Sequence, residues 1–347
     1  MAKRAFITGT AGQDGGHLAK LLNEKGYEVY GTIRGQIEAS HPRYQALQAE
    51  FPFLKIVTAD ILDLSALTRA FQEIKPDEIY NLAAISHVGY SFKNPLLTAD
   101  TTGKAVLSML EAIRLAGLEK TTKFYQASTS EMFGGLDYNR PEDGYVEESS
   151  FHPRSPYGVA KLYGYWIAKN YRENYDMFAV SGILFNHEGE RRGPEFVTRK
   201  ISIATARIKH GLQDTIELGN LDAKRDWGYA GDYVEGMWRI LQRDKPEDFV
   251  LATGEAHSIR EFCELALKEI GVTVKWQGAG VDEVGVDADT GKTVIKINPE
   301  FFRPSEVDLL LGNPTKAETE LGWKRKVNFP SLVKLMVKHD LEVESKR

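Results

Sequence analysis

The sequence predicts an α/β protein in which helices cover both faces of a doubly wound parallel sheet, with a smaller C-terminal lobe. Short runs rich in β-branched residues alternate with longer amphipathic stretches through the first half of the chain. A glycine-rich segment follows the first of these runs directly. The 347 residues, 42% of them hydrophobic, can bury the large core that this architecture needs.

The predicted elements of the first half follow one another as strand, helix and strand. We expect strands at Arg4–Thr8, Glu28–Ile33, Lys55–Ala59, Glu78–Leu82, Lys123–Ala127 and Phe178–Leu184, and helices at Gly15–Lys25, Leu64–Ile74 and Thr102–Ala116. After about Phe185 we expect charged loops and short helices, including the acid-rich stretch Gly278–Lys292. A later strand at Phe249–Ala252 should join the first sheet, so the predicted units, 1–185 and 186–347, interleave.

Charge and composition exclude several classes of partner. The net charge of −5 leaves no excess of basic surface, so nucleic acid and anionic membranes are not expected partners. No apolar stretch approaches the roughly 20 residues that a membrane-spanning helix requires. The single cysteine, Cys263, cannot form an intramolecular disulfide, and the start MAKRAFITG has no signal-peptide pattern. We therefore expect a soluble cytoplasmic protein, and we predict no metal site.

The glycine-rich segment after the first strand has the pattern of a phosphate-binding turn. Gly9, Gly12 and Gly15 open the first helix, where glycine lets backbone N–H groups approach a pyrophosphate closely. A glycine-rich turn without a ligand is the alternative, but the flanking strand and helix favour dinucleotide binding by a Rossmann-type sheet. The spacing GxxGxxG, rather than GxGxxG, is typical of the extended short-chain dehydrogenase/reductase family, which the chain resembles.

Residues at the ends of the next two strands are candidates for contacts with the rest of a dinucleotide. Arg34 stands where NAD-dependent enzymes usually carry a carboxylate, and its guanidinium suits a 2′-phosphate, which favours NADP. By itself, Arg34 could also be a solvated surface residue. In the family just named, Asp60 would bind the adenine amino group with Ile61 packing nearby, although a helix N-cap is the alternative for Asp60.

Tyr157 and Lys161 are the candidates for proton transfer. Residues four apart share one helix face, so the Lys161 ammonium could favour a Tyr157 phenolate. Because a free tyrosine titrates near about 10, we expect Lys161 and a cationic nicotinamide to lower the pKa of Tyr157. The pattern Tyr-x-x-x-Lys is weak by itself, since Tyr165 and Lys169 repeat it.

The segment Ser128-Thr129-Ser130-Glu131 supplies the context that selects Tyr157. It follows the predicted strand Lys123–Ala127, and strand ends of open α/β sheets line the ligand crevice. Thr129 can hydrogen-bond a reacting oxygen, and Glu131 can remove a carbon-bound proton that a neighbouring ketone has acidified. A plain dehydrogenase does not need this carboxylate, so Glu131 indicates dehydration. The alternative is that Glu131 only caps the following turn.

Several longer motifs are similar to those of the GDP-mannose 4,6-dehydratase family, from Lys3 to about Val337. They are TAGQDG at 10–15, YNLAA-SHV at 80–88, FYQASTSEMFG at 124–134, HPRSPYGVAKLYGYW at 152–166, GILFNHE at 182–188, RRG-EFVTRK at 191–200, LGNLDAKRDWGYA at 218–230, FFRPSEVDLLLGNPTKA at 301–317 and LGWK at 321–324.

This resemblance implies that GDP-mannose becomes GDP-4-keto-6-deoxymannose through a hydride that NADP takes and returns. It implies catalytic roles for Thr129, Glu131, Tyr157 and Lys161. The implied NADP contacts are Gly9, Gly12, Gln13, Asp14, Gly15, Arg34, Asp60, Ile61, Leu82, Ala83, Ala84, Ser86, Tyr157, Lys161, His187 and Arg192. The implied GDP-sugar contacts are Ser86, Thr129, Asn186, Lys200, Arg225, Arg303 and Glu306, with surface ion pairs as the alternative. A homo-oligomer, dimer or tetramer, is also implied.

Some positions depart from the family pattern. The segment Gly35–Tyr44 replaces a second arginine and a serine-rich loop, which in the family reaches the cofactor of a neighbouring subunit. Ile85 replaces a glutamine near the nicotinamide pocket; the loss of its hydrogen-bonding capacity could change the accepted sugar, for example to a GDP-heptose. The other departures are Ala11 for threonine, His17 for tyrosine and Gly189-Glu190 for Ser-Pro.

The same residues argue against several other functions. A dTDP-glucose-type dehydratase would carry a Thr-Asp-Glu cluster at this place, and an epimerase would lack the glutamate. Ser130 and Glu131 therefore argue against these two enzymes. A non-catalytic NADP-binding regulator would have no use for Tyr157, Lys161 and Glu131 together. Reduction of the keto product at the same site is chemically accessible as a side reaction.

Overall fold

The computed structural model describes residues 2–33, 38–135, 141–301 and 309–346. Its strands are β1 (Arg4–Thr8), β2 (Glu28–Ile33), β3 (Lys55–Thr58), β4 (Glu78–Asn81), β5 (Lys123–Thr129), β6 (Ala179–Leu184), β7 (Asn186–Glu188), β8 (Ile216–Leu218), β9 (Lys224–Arg225), β10 (Trp227–Tyr229), β11 (Phe249–Leu251), β12 (His257–Ser258), β13 (Val274–Gln277), β14 (Val284–Asp287), β15 (Thr293–Ile297) and β16 (Leu309–Leu310). Its α-helices are α1 (Gln13–Glu24), α2 (Pro42–Glu50), α3 (Leu64–Ile74), α4 (Val88–Lys93), α5 (Pro95–Thr98), α6 (Ala105–Leu115), α7 (Pro156–Tyr175), α8 (Val197–Lys209), α9 (Ala230–Leu241), α10 (Ile259–Lys268), α11 (Thr315–Glu320) and α12 (Phe329–Glu344).

The central sheet has seven parallel strands in the order β3-β2-β1-β4-β5-β6-β11. The chain moves outward from β1 to β3 and then returns to place β4 on the other side of β1. The crevice at the carboxyl ends of β1 and β4 is therefore the switch point at which open parallel sheets bind ligands. The predicted fold class is confirmed.

Alternating side chains of β1 pack into two different layers of the core. Ala5 and Ile7 join the apolar cluster that includes Leu18 of α1 and Met237 of α9. Phe6 points to the opposite face, into the cluster formed with α3, α6 and α7. All three β1 side chains are fully buried. Both faces of the sheet are thus covered at β1, which explains why its consecutive residues Ala5, Phe6 and Ile7 are all apolar.

The second half of the chain forms further small sheets. Strands β13, β14, β15 and β8 form one four-stranded sheet, and α8, α10 and α12 pack around a common apolar core through Ile201, Phe262 and Met336. The acid-rich stretch Gly278–Lys292, predicted as a loop, contains β14, which pairs with β13 and β15. Its apolar alternation is limited to Val284 and Val286, too short to indicate a strand without the two neighbouring strands.

The interleaving of the two units is more extensive than one strand. The strand predicted at 249–252 is present as β11, which pairs with β6 in the central sheet. Helix α9 and the region of Trp323 also pack on the core that contains α1. The division between residues 185 and 186 stays a prediction.

Two predicted boundaries near the crevice differ from the structure. Strand β5 continues to Thr129, because Thr129 pairs with Leu184 of β6. The helix predicted at 102–116 begins as the π-helical segment Ala99–Lys104 and continues as α6.

Within the described ranges, no helix combines the length and apolarity needed to cross a membrane.

Candidate active site

A cavity of about 1390 Å³ opens at the carboxyl ends of the central strands. All the candidate residues that the structure describes line it: Gly9, Gly12, Gln13, Asp14, Gly15, Asp60, Ile61, Leu82, Ala83, Ala84, Ser86, Thr129, Glu131, Tyr157, Lys161, Asn186, His187, Arg192, Lys200 and Arg225. Arg34, Arg303 and Glu306 lie outside the described residues. The fold thus brings the described candidates together, while their individual roles stay predictions.

The glycine turn between β1 and α1 forms the floor of the cavity. Gly9 has a φ of +74°, which favours glycine. A Cβ on Gly15 would lie 2.3 Å from the Gly9 carbonyl oxygen, so the turn closes this tightly only with glycine at 15. Gly12 is the N-cap of α1 and carries no capping side chain. The first N–H groups of α1 are therefore left for another acceptor, as a pyrophosphate site requires.

The far end of the cavity has room for the adenosine part of a dinucleotide. Ile33, Ala59, Asp60 and Ile61 line it. The Asp60 carboxylate accepts a hydrogen bond from the Leu62 N–H at 3.0 Å, whereas α3 is capped by Asp63. The alternative that Asp60 is a helix N-cap is therefore wrong.

Tyr157 and Lys161 lie on the first two turns of α7, which Ser155 caps through the Gly158 N–H. The Lys161 ammonium donates a hydrogen bond to the Ala127 carbonyl oxygen at 2.7 Å and lies 5.9 Å from the centre of the Tyr157 ring. Burial lowers the pKa of Lys161 to about 8.

We expected Lys161 to lower the pKa of Tyr157, but in the protein without a bound cofactor this pKa is raised. Burial raises the pKa of the Tyr157 phenol to about 12; the charge of Glu131 raises it further, and the Thr129 hydroxyl opposes the rise. Sequence spacing places the lysine near the tyrosine but does not show how deeply both are buried. A phenolate at neutral pH therefore requires a positive charge closer to the phenol than Lys161.

Thr129 and Glu131 stand at the end of β5, facing the same cavity. The Thr129 hydroxyl accepts a hydrogen bond from the Glu131 N–H at 3.3 Å and so caps the short turn Ser130–Met132. Glu131 is therefore not needed as a cap, and that alternative is wrong. Its side chain is 9% exposed, and its carboxylate forms no hydrogen bond with another described residue. A buried carboxylate with free acceptor positions suits a general base.

Residues of the segment 186–192 form another part of the cavity wall. His187 contacts Asp14 of α1, at 2.8 Å from Nε2 to the carboxylate. The Arg192 guanidinium lies 3.0 Å from Glu188 and 3.6 Å from the centre of the Phe196 ring. Asn186 has a buried side-chain oxygen without a partner among the described residues. This wall therefore carries both charge and unused hydrogen-bonding capacity.

The outer part of the cavity is lined by cations and aromatic rings. The Lys200 ammonium lies 3.5 Å from the centre of the Phe301 ring, and burial lowers the pKa of Lys200. Arg225 ends β9 and is buried. Cations beside aromatic rings can bind a diphosphate and a base together. Among the described residues, no cluster of three or more histidine, cysteine or acidic side chains could hold a metal ion.

Sequence reasoning missed several residues of the cavity lining. They include Arg43, Arg191, Phe196, Trp227 and Phe301. The segment Arg191-Arg192-Gly193 could have drawn attention to Arg191, whereas Phe301 and Trp227 reach the cavity only through the folding of the second half.

Comparison with known proteins identifies relatives along nearly the whole chain. A family model described as GDP-mannose 4,6 dehydratase matches residues 6–336. A GDP-mannose 4,6 dehydratase of Drosophila melanogaster is 50% identical, over 99% of this chain and 87% of its own length. A GDP-mannose 4,6-dehydratase of Vibrio cholerae is also 50% identical, over 99% of this chain and 95% of its own length.

Solved structures share the fold at lower identity. DesIV, a dTDP-glucose 4,6-dehydratase of Streptomyces venezuelae with NAD and TYD bound, superposes with a TM-score of 0.79 at 23% identity. The match covers 99% of this chain and 98% of that chain. At this identity the likeness shows the fold.

Proposed function

This chain belongs to the GDP-mannose 4,6-dehydratase family, and we propose that it removes water from GDP-mannose to give GDP-4-keto-6-deoxymannose. The family predicted from the motifs is confirmed by a family match that covers most of the chain. The observation that carries the proposal is that Thr129, Glu131 and Tyr157 line the same cavity as the glycine turn and the Lys200 and Arg225 cations.

The protein's own residues divide the proton transfers between them. Tyr157 accepts the proton of the sugar 4-hydroxyl, with Thr129 hydrogen-bonded to the same oxygen. The resulting 4-ketone acidifies the proton on C5. Glu131 removes this proton and passes it to the C6 hydroxyl, which leaves as water. The proton that Tyr157 took from the 4-hydroxyl then returns to C5, so that C4 is oxidised, C6 is reduced, one water is lost and both residues regain their starting protonation states. Lys161 holds its charge beside Tyr157 throughout.

A nicotinamide dinucleotide fits the inner half of the cavity. When bound, it would accept the hydride from C4 and return it to C6, so that no reductant is consumed. The uncapped first turn of α1 suits its pyrophosphate, and the carboxylate of Asp60 suits its adenine. NADP is our choice because Arg43 also lines the cavity, and a guanidinium favours a 2′-phosphate. Titration with NADP and NAD tests this choice.

The experiment that tests the proposed function follows the product of GDP-mannose by mass. We expect wild-type protein to form a species lighter by one water. We expect Glu131→Gln to slow its formation by about 100-fold or more, because an amide cannot accept the C5 proton. A 4-keto sugar that retains the C6 hydroxyl should accumulate in the variant. Undiminished product formation by Glu131→Gln would refute the role of Glu131.

A GDP-heptose is the second candidate substrate. Ile85 lines the cavity where the family carries a glutamine, and its N–H donates to the Thr102 hydroxyl at 3.0 Å. An aliphatic side chain at this place offers no hydrogen bond to the sugar, and a substrate with a different C6 group would not need one. Parallel incubations with GDP-mannose and a GDP-manno-heptose, compared as kcat/KM, distinguish the two.

A homo-oligomer stays a proposal as well. Val159, Tyr163 and Trp166 of α7 are 44–55% exposed and form an apolar face outside the cavity, which a second subunit would cover. Sedimentation at several protein concentrations would separate monomer, dimer and tetramer. Location in the cytoplasm also stays a prediction from the sequence.

A further inference from the structure

Both ring nitrogens of His187 form contacts in the cavity wall, one with the neighbouring backbone and one with helix α1. Nδ1 lies 2.8 Å from the Phe185 carbonyl oxygen, and Nε2 lies 2.8 Å from the Asp14 carboxylate. A carbonyl oxygen only accepts hydrogen bonds, so Nδ1 carries a proton. An ionised carboxylate also only accepts, so Nε2 carries one too. The geometry therefore requires an imidazolium at position 187.

The groups around the His187 ring also favour its positive charge. The Tyr233 ring stacks on it at 4.6 Å between centroids and 18° between planes, which favours a positive charge. Burial opposes ionisation of Asp14, but the charge and hydrogen bond of His187 hold the pKa of Asp14 down at about 2. Burial likewise opposes the charge on His187, and Asp14 still raises its pKa, while Arg192 opposes that rise.

The pair belongs to a larger contact between α1 and the segment 186–192. The Gln13 side-chain amide donates a hydrogen bond to the His187 carbonyl oxygen at 3.0 Å. One helical turn further along α1, His17 lies 3.7 Å from Glu190. Residues 13, 14 and 17 of α1 thus hold the segment that carries Asn186 and Arg192. Helix α1 begins at the glycine turn of the proposed cofactor site. The contact therefore links that site to the proposed GDP-sugar site.

We propose that the Asp14–His187 pair is a positioning device that couples the two sites, fixing Asn186 for the nucleotide sugar through a carboxylate of the cofactor-binding helix. This inference rests on the proposed GDP-sugar site. The pair is assigned a positioning role because His187 and Asp14 are engaged with each other and with the Phe185 carbonyl oxygen.

The test measures binding of GDP by calorimetry, without turnover, in the presence of saturating NADP. We expect Asp14→Asn and His187→Gln each to weaken GDP binding by about tenfold, within the usual range of coupling between sites. We expect the double variant to be no weaker than either single one, since both break the same contact. Asp63→Asn is the matched control: it removes a carboxylate at the start of α3, outside the residues that line the cavity, and asparagine can still cap the helix, so GDP affinity should be unchanged.

A spectroscopic signature separates this role from general damage to the fold. In ¹⁵N-histidine-labelled wild-type protein, both ring nitrogens of His187 should remain protonated above pH 7, and in Asp14→Asn the ring should titrate at lower pH. Wild-type GDP affinity in Asp14→Asn, or a His187 ring that is neutral at pH 7 in the wild type, would overturn the inference. If wild-type protein binds no GDP, the proposed function fails, whereas the histidine titration still decides whether the pair is charged.

Discussion

Replacement of Lys161 by methionine should make the protein more stable and far less active. Lys161 is fully buried, and its pKa falls from an ordinary value of 10.5 to about 8. A fall of this size means that folding with the ammonium charged costs about 3 kcal/mol at pH 7. Methionine fills nearly the same volume without the charge. It leaves the Ala127 carbonyl oxygen without its donor, a loss of about 1–2 kcal/mol. The net expectation is a gain of about 1–2 kcal/mol.

The stability gained in Lys161→Met depends on pH, and the lowered pKa of Lys161 sets the direction of that dependence. Because the pKa is lower in the folded than in the unfolded protein, the cost is complete below about pH 8 and disappears as the pH rises towards 10.5. The stability advantage of Lys161→Met should therefore be largest at pH 7 and should narrow by pH 9.5. Urea unfolding of cofactor-free protein, followed by tryptophan fluorescence at both pH values, measures it. Turnover should fall by about 100-fold or more, since Tyr157 loses its neighbouring charge.

The control is Lys169→Met, on the same helix. Lys169 repeats the spacing from Tyr165 but lies over the exposed Trp166 ring rather than in the cavity. We expect little change in turnover and no pH-dependent gain in stability. If Lys161→Met proved less stable than wild type at pH 7, or if its advantage did not vary with pH, the burial of a charged lysine would be the wrong explanation.

Two further substitutions test the glycine turn and the support of Arg225. In Gly15→Ala, a Cβ would lie 2.3 Å from the Gly9 carbonyl oxygen, so the turn must open, and NADP affinity should fall by at least about tenfold while GDP affinity, measured by the same calorimetry, is retained. Asp226, beside Arg225, accepts hydrogen bonds from Thr253, Gly254 and Gly312. Asp226→Asn turns an amide NH₂ towards these donors and should lower the free energy of unfolding by about 2–4 kcal/mol. Because burial raises the pKa of Asp226 to about 6, wild-type stability should fall as the pH rises from 3.8 to 6, and this fall should be absent from the variant.

The parts of the site that sequence could predict depend on local patterns. The glycine turn, the ends of β4 and β5 and the first turns of α7 each follow from a few consecutive residues. Since parallel strands end at one edge of the sheet, these segments had to meet. Even here β5 extends two residues beyond its predicted end at Ala127, because its pairing with Leu184 continues the strand to Thr129.

Contacts between distant segments could not be predicted in the same way. Asp14 and His187 are 173 positions apart, and nothing in either motif indicates that they form a pair. The partner of Lys161 is a backbone carbonyl, which has no sequence signature. The direction of the Tyr157 pKa shift was also missed, since it depends on burial by segments from several parts of the chain.

The mutual influence of Tyr157 and Glu131 sets the order of their proton transfers. The charge of Glu131 raises the pKa of Tyr157. If both were ionised together, the buried pair would repel in a site of low dielectric. Once Tyr157 has taken the proton of the 4-hydroxyl, it is neutral, and Glu131 can remain a carboxylate beside it. Oxidation at C4 therefore acidifies the C5 proton and at the same time removes the phenolate charge beside Glu131.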